Sequence, residues 1–275
     1  MVSWVIFVLL AAFFNAFWVA LSKRELKHID PLALSFVFRG FIIILYLPLV
    51  VFFGDFSADK WYWVAVLVGG VTGALGLYYL MVGIKEDFFS TYSMRNAQTV
   101  FVLVLAFLFL GEQATTSLIF AILLIFSGSL IFYRAKKLSF HGLASGFFYS
   151  FAAVSAKAGV EHGSRVLYPP ITLVVTISFL GLLLVRDGHL RKEWGLIKKE
   201  AHRIFPISFL SFLSLLAYYE ALALADVNVV VPLHKVNIVI GFLLSYFLLG
   251  EKDSWKSKLL GGLCILFGAI IIYLI

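Results

Sequence analysis

Apolar runs of membrane-spanning length follow one another along almost the whole chain, at 3–22, 31–53, 62–84, 88–110, 115–133, 141–160, 168–186, 204–225, 228–249 and 257–275. At 1.5 Å per residue each run can cross ~30 Å of hydrocarbon. Short polar or charged stretches separate them, and almost nothing is left over for a soluble domain. Composition agrees: 62% of the 275 residues are hydrophobic and 13% are charged, against roughly 45–50% apolar in ordinary soluble domains. The expected fold is an all-α integral membrane protein of ten transmembrane helices.

The first apolar run begins without a basic segment before it and is followed by no small-residue cleavage site, so a retained helix is expected rather than a signal peptide. The single cysteine, Cys264, lies in the last run and excludes an internal disulfide or a Cys-ligated metal cluster. There is no GxxxxGK[ST] phosphate loop and no HExxH. No cofactor is expected, and nothing in the sequence points to ATP-driven work. The formal net charge of +7 sits in loops, where it orients spans, so nucleic acid is not an expected partner.

Those loops are lopsided. The connections 1–2, 3–4, 5–6, 7–8 and 9–10 hold about sixteen Lys and Arg, and the opposite side about three, Lys60, Lys157 and Arg165. Basic loops stay in the cytoplasm. The expectation is a multi-pass protein of the cell membrane with both termini outside and the basic "RDGHLRKEWGLIKKEAHR" loop inside.

The chain also repeats itself. Laying the "LGE" of 110–112 over that of 249–251 aligns "YYLMVGIKEDFFSTYSMRNAQTVFVLVLAFLFLGE" with "AYYEALALADVNVVVPLHKVNIVIGFLLSYFLLGE". "FFNAFWVALSK" (13–23) matches "FFYSFAAVSAK" (147–157), and "FSGSLIFY" (126–133) matches "LFGAIIIY" (266–273). Two five-helix units, 1–137 and 138–275, follow. Because five is odd, the second enters the membrane from the opposite side, which makes an inverted repeat with its cargo site expected near the midplane between the halves.

This doubled pattern, with the Arg of "FVFRG", the "YY…AL" approach to helix nine and the "LLGE" and "LGE" that close helices nine and four, resembles the EamA-like branch of the drug/metabolite transporter superfamily. The resemblance covers essentially the whole chain and implies a transporter of small organic metabolites, with helices four and nine lining the path and five and ten at the periphery. Two departures stand out. Many members carry a proline about thirteen residues before the closing Glu, where this chain has Thr99 and Ile238, with Pro232 earlier. Members are also usually drawn with cytoplasmic termini, opposite to the loop count.

Charge at midplane depth costs roughly 2.5–3.5 kcal/mol per group on insertion scales, so it marks a cavity or pathway. Arg39, Arg95 and Lys235 each lie ~12 Å into helices two, four and nine. The repeat register places Arg95 on His234 and Asn96 on Lys235, a basic-polar pair at equivalent places. Helical spacing gathers Thr91, Tyr92, Gln98 and Thr99 around Arg95 as a polar stripe. By the same spacing Lys235 shares its face with Asn228, Val231, Ile238 and Phe242, while His234 points about 100° away. Lys235 is expected to face the cavity, and His234 is a candidate for proton coupling. Asn15 sits at mid-depth in helix one. Glu220 is the acid within a span and a candidate counter-ion for Lys235 or Arg39, with a hydrated interfacial position as the alternative. Glu112 and Glu251 are expected to terminate helices at the interface.

Each of these residues has a structural alternative: a polar seam between helices for the Arg95 stripe, a helix-helix contact for Asn15, a recurrent family feature for Arg39. The small residues Gly69, Gly70, Gly73 and Gly76 of helix three and Ser208, Ser211 and Ser214 of helix eight read as close-packing positions. Three fixed basic groups against one acid favour a small anionic or carboxylate-bearing solute: an amino acid, an organic acid or a phosphorylated compound. The His234-Lys235 pair is similar to a Lys-Arg pair of organophosphate-translocating members, which suggests phosphate as one ligand. Rival readings are a lipid flippase, a cationic amine exporter, a channel or an integral-membrane enzyme. The expected partners are the lipid bilayer, a small-molecule substrate and a coupling proton or ion, with a monomer expected and a homodimer as the alternative.

Overall fold

A computed structural model describes residues 2–26, 28–55, 58–133, 138–186, 189–248 and 255–274. The described residues form twelve helices: α1 (Val2–Glu25), α2 (Pro31–Phe53), α3 (Lys60–Glu86), α4 (Phe88–Arg95), α5 (Gln98–Leu110), α6 (Thr116–Tyr133), α7 (Phe140–His162), α8 (Tyr168–Arg186), α9 (His189–Leu224), α10 (Val227–Leu233), α11 (Val236–Leu248) and α12 (Trp255–Leu274). Seven helical stretches are long and apolar enough to cross a membrane, and Thr116–Phe132 and Val227–Gly241 are shorter apolar ones. α7 is 23 residues long, but Lys157, Glu161 and its many small residues make it less apolar. Large apolar side chains point outward along these helices: Phe52 is 77% exposed, Leu182 71% and Phe109 68%. A surface of this kind is matched to lipid and not to water.

Local sequence explains the helix ends. Asp30 caps α2, its Oδ1 accepting from the N–H groups of Leu32 at 2.9 Å and Ala33 at 3.2 Å, with Pro31 at the first helical position. Asp59 caps α3 in the same way through Trp61 and Tyr62. These bonds hold the exposed Asp59 carboxyl below its ordinary pKa. α5 ends at Gly111, whose φ of 69° is the left-handed C-cap.

Two features depart from the sequence reading. The fourth and ninth apolar runs are each broken in mid-course, α4 from α5 at Asn96-Ala97 and α10 from α11 at His234-Lys235. At the first break the bonds tighten to i→i−3, with Ala97 N–H on the Met94 carbonyl at 3.1 Å and Val100 N–H on the Ala97 carbonyl at 3.0 Å. The second repeats the pattern, with Lys235 N–H on the Pro232 carbonyl at 3.0 Å and Ile238 N–H on the Lys235 carbonyl at 3.0 Å. Such a mid-helix turn marks a hinge or a functional distortion. The second departure is α9. Its 36 residues run continuously from His189, so much of the segment read as a basic loop is the helical start of the eighth run.

Packing divides the spans into two bundles, each drawn from both halves of the chain. α3 runs along α7 and touches α8, and α4 and α5 also pack on α7. In matching fashion α9 runs along α1 and touches α2, and α11 packs on α1. α6 and α12 pair with each other, so closely that a methyl group on Gly261 would collide with the Gly128 carbonyl. The small residues of α3 and α9 make their close contacts within their own bundles, and Gly69, Gly73, Ser211 and Ser214 line the space between the two. Gly69 and Gly70 admit Tyr168, Ser155 and Val175 of the first bundle, whereas Ser214 donates to the Ala11 carbonyl of α1 at 2.9 Å.

Candidate functional site

Between the two bundles lies a cavity of about 150 Å³, and side chains from both halves of the chain line it. That volume is comparable to a cavity that accommodates a small organic molecule such as benzene. Six of the expected residues reach it: Asn15, Arg39, Arg95, Gln98, His234 and Lys235.

Residues at the helix breaks border the cavity. In an unbroken helix His234 and Lys235 would diverge by about 100°, and the tightened turn between α10 and α11, at about 120° per residue, does not bring them onto one face; both nevertheless line the cavity. The corresponding turn separates Arg95, the last residue of α4, from Gln98, the first of α5, and both face inward.

The resulting contacts tie the site together. The Lys235 ammonium, 3% exposed, donates to Gln98 Oε1 at 2.8 Å. Gln98 Nε2 donates in turn to the Tyr149 carbonyl at 3.1 Å. The Arg95 guanidinium lies 5.0 Å from the centre of the Tyr149 ring and 5.4 Å from that of Tyr92, within cation–π range. Arg39 lies 4.9 Å from the Phe38 ring centre. The Nε atoms of Arg39 and Arg95 are buried without a hydrogen-bond partner. Asn237 Nδ2 donates to Asn15 Oδ1, so Asn15 is both a contact between α1 and α11 and part of the cavity wall.

Four expected residues do not line the cavity. Thr99 is fully buried and bonds the Asn96 carbonyl at 2.9 Å. Asn96 is 2% exposed and Tyr92 lies against Arg95 outside the lining. Thr91 of the same stripe meets Ser139 at 3.2 Å. Because the break rotates α5 relative to α4, the stripe read as one wet face is split. On the other side, Asn228 is held at the bundle contact described below, Ile238 is core, and the Phe242 side chain lies outside the described residues. The fourth is Glu220, whose carboxylate accepts from Arg165 at 3.1 Å. It therefore forms a partly exposed pair with a loop and is not the counter-ion of Lys235 or Arg39.

Sequence reasoning missed the aromatic lining: Trp18, Tyr149, Tyr218 and Tyr219. Tyr218 meets the His234 ring edge-on with centroids 5.6 Å apart. The repeat register contained one signal, since it places Tyr149 of "FFYSF" on Asn15 of "FFNAF". No carboxylate lines the cavity among the described residues. Its charge comes from Arg39, Arg95 and Lys235, each more than nine-tenths buried.

Further polar contacts join the bundles at one end. Gly111 turns the chain after α5 so that Glu112 reaches α10, where its carboxylate accepts from the N–H groups of Val227 at 2.8 Å and Asn228 at 2.9 Å. Asp226, the N-cap residue, makes no side-chain cap bond of its own. Burial raises the Glu112 carboxyl above its usual pKa, and the two N–H bonds oppose that rise. Glu112 thus caps a helix of the other half rather than only ending its own, as the sequence suggested. Glu251 lies outside the described residues. Lys157, counted among loop charges, is buried in α7 and donates to the Leu222 carbonyl at 3.0 Å.

A helical fold with a lipid-facing exterior and a polar, charged cavity between two bundles defines a multi-pass membrane protein. Comparison with known proteins gives its family. The model of the EamA-like transporter family matches residues 2–134 and again 137–274, and this chain belongs to that family of membrane transporters. A solved crystal structure has the same fold, with a TM-score of 0.77 at 14% identity, covering 99% of this chain and 96% of that one. No curated protein matches this chain.

Proposed function

We propose that the protein is a secondary transporter of a small anionic organic solute, a carboxylate or phosphorylated metabolite. One observation carries this reading: the cavity between the bundles has three buried basic side chains and no carboxylate in its described lining. Burying like charges together is unfavourable, and an anion bound among them offsets that repulsion. Lys235 and Arg95 hold the anionic group, and Arg39 supplies further positive potential. The aromatic side chains and the apolar lining residues Leu173, Leu215 and Val231 take the remainder of the molecule.

The mechanism that fits the doubled sequence is alternating access. Residues 1–137 and 138–275 form inverted five-span repeats, ten crossings in all, and the bundles rock around the central site. The loop charge supports an orientation in the cell membrane with both termini outside.

Uptake into proteoliposomes tests the proposal. Liposomes preloaded with unlabelled carboxylates or phosphate esters should accumulate the labelled compound by exchange, and preloading with amines of the same skeleton should give none. Exchange of amines alone would overturn it.

A further inference from the structure

The residues after the two helix breaks correspond through the repeat: Asn96 with Lys235, Gln98 with Asn237, and Asn15 with Tyr149. Within each bundle the correspondence is fulfilled. Gln98 donates to the Tyr149 carbonyl at 3.1 Å in the first bundle, and Asn237 donates to the Asn15 side chain in the second. Each amide is thereby anchored to its own bundle, and the Gln98 oxygen meets the other bundle through Lys235.

Between the bundles the correspondence fails. Lys235 crosses to Gln98 Oε1 at 2.8 Å. The equivalent contact would run from Asn96 Nδ2 to Asn237 Oδ1, and both of these atoms are buried without a hydrogen-bond partner. Asn96 is 2% exposed and Asn237 7%. An orphaned buried polar atom is costly, and here a donor and an acceptor are orphaned at the places that the repeat pairs. Rocking two repeat-related bundles exchanges the arrangements of equivalent contacts, so a bond made in one state has its counterpart made in the other.

We infer that Asn96 and Asn237 are positioning residues of the transport cycle: an Asn96–Asn237 hydrogen bond forms in the opposite-facing state and replaces the Lys235–Gln98 bond of this one. The inference rests on the alternating-access reading above and not on the identity of the solute. The exchange couples cargo to motion. In the present arrangement Gln98 Oε1, a neutral acceptor, occupies the ammonium. A bound solute that competes for Lys235 removes the contact that holds this state, and the amide pair then stabilises the next.

Side-specific labelling tests this without any substrate. In a Cys264→Ser background, Ala153→Cys places a thiol in the cavity wall, and a membrane-impermeant maleimide is applied to either face of sealed vesicles. The reading is the ratio of the two labelling rates. Gln98→Leu removes the acceptor for Lys235 and should shift the ratio by about tenfold, the loss of one charge-assisted hydrogen bond. Asn96→Lys, which strengthens the alternative bond, should shift it in the same direction and provides a second reading if Gln98→Leu does not fold. Adding Asn96→Leu to either Gln98→Leu or the parent should move the ratio the other way. A ratio unmoved by Gln98→Leu and Asn96→Lys, or an Asn96→Leu addition that leaves the Gln98→Leu ratio where it was, would overturn the inference. Failure of anion exchange in proteoliposomes would leave this result standing, which separates the two claims.

Discussion

The two mid-membrane breaks share a backbone and differ in chemistry. After Arg95 and after His234 the chain makes the same i→i−3 turn, and the next amide, Gln98 or Asn237, bonds into its own bundle. The first break, however, carries a guanidinium seated between tyrosine rings. The second carries an ammonium bonded to an amide of the other bundle. A repeated scaffold thus supplies geometry twice, while substitution at equivalent positions leaves a positive site with unlike walls. In the proposed mechanism anion recognition would rest on that difference, and alternation on the likeness.

The largest test of the comparison removes the charges. Lys235→Gln and Arg95→Gln should each weaken solute exchange by at least about 30-fold, the ~2 kcal/mol lower bound for truncating one buried member of a charge pair. Exchange kinetics in proteoliposomes give the answer. If only one of the two substitutions mattered, the anion would be held by one break alone.

A second test reaches the anchoring of the second break. Glu112 is the cap of α10, so Glu112→Ala leaves two buried N–H groups unpaired and should lower thermal stability in detergent by about 1–3 kcal/mol. Stability equal to the parent would mean that α10 is held by its apolar packing and not by the carboxylate.

Glu220→Gln should do little. Its pair with Arg165 is partly exposed, and such pairs contribute about 0–1 kcal/mol. Solute affinity should not change, because Glu220 does not line the cavity. A tighter anion constant in this variant would return Glu220 to the site as a counter-charge.

The smallest effect is a pH dependence. The folded-state pKa of Glu112 is raised from 4.5, so the folded chain binds that proton more readily than the unfolded chain. Its contribution is present below pH 4.5 and is lost as pH rises through the folded value. The melting temperature of the parent relative to Glu112→Gln should therefore fall between pH 4 and neutrality, and a flat difference would mean that Glu112 is hydrated.

Much of this was legible in the residues. Apolar length sets the spans, the doubled "LGE" sets the repeat, and charge at mid-depth marks Arg39, Arg95 and Lys235. What was not legible depends on phase and on distant partners. "SMRN" contains no proline or glycine to announce a break, and Pro232 lies ahead of the second break rather than in it. Helical periodicity carried across those turns put Thr99 on the cavity face and His234 off it. Glu220 looked like a free acid in a greasy helix because its partner, Arg165, lies 55 positions away. The aromatic wall looked like ordinary core, since nothing in a tyrosine pair such as Tyr218-Tyr219 distinguishes a lining face from a packed one.

The central claim is that the cavity is positive and waits for an anion. A thermal-stability series with ligands sharing one small skeleton, presented as the carboxylate, the neutral amide and the amine, tests it directly. The account predicts a concentration-dependent stabilisation by the carboxylate, little by the amide and none by the amine, with the carboxylate effect lost in Lys235→Gln. Stabilisation by the amine with none by the carboxylate would contradict it.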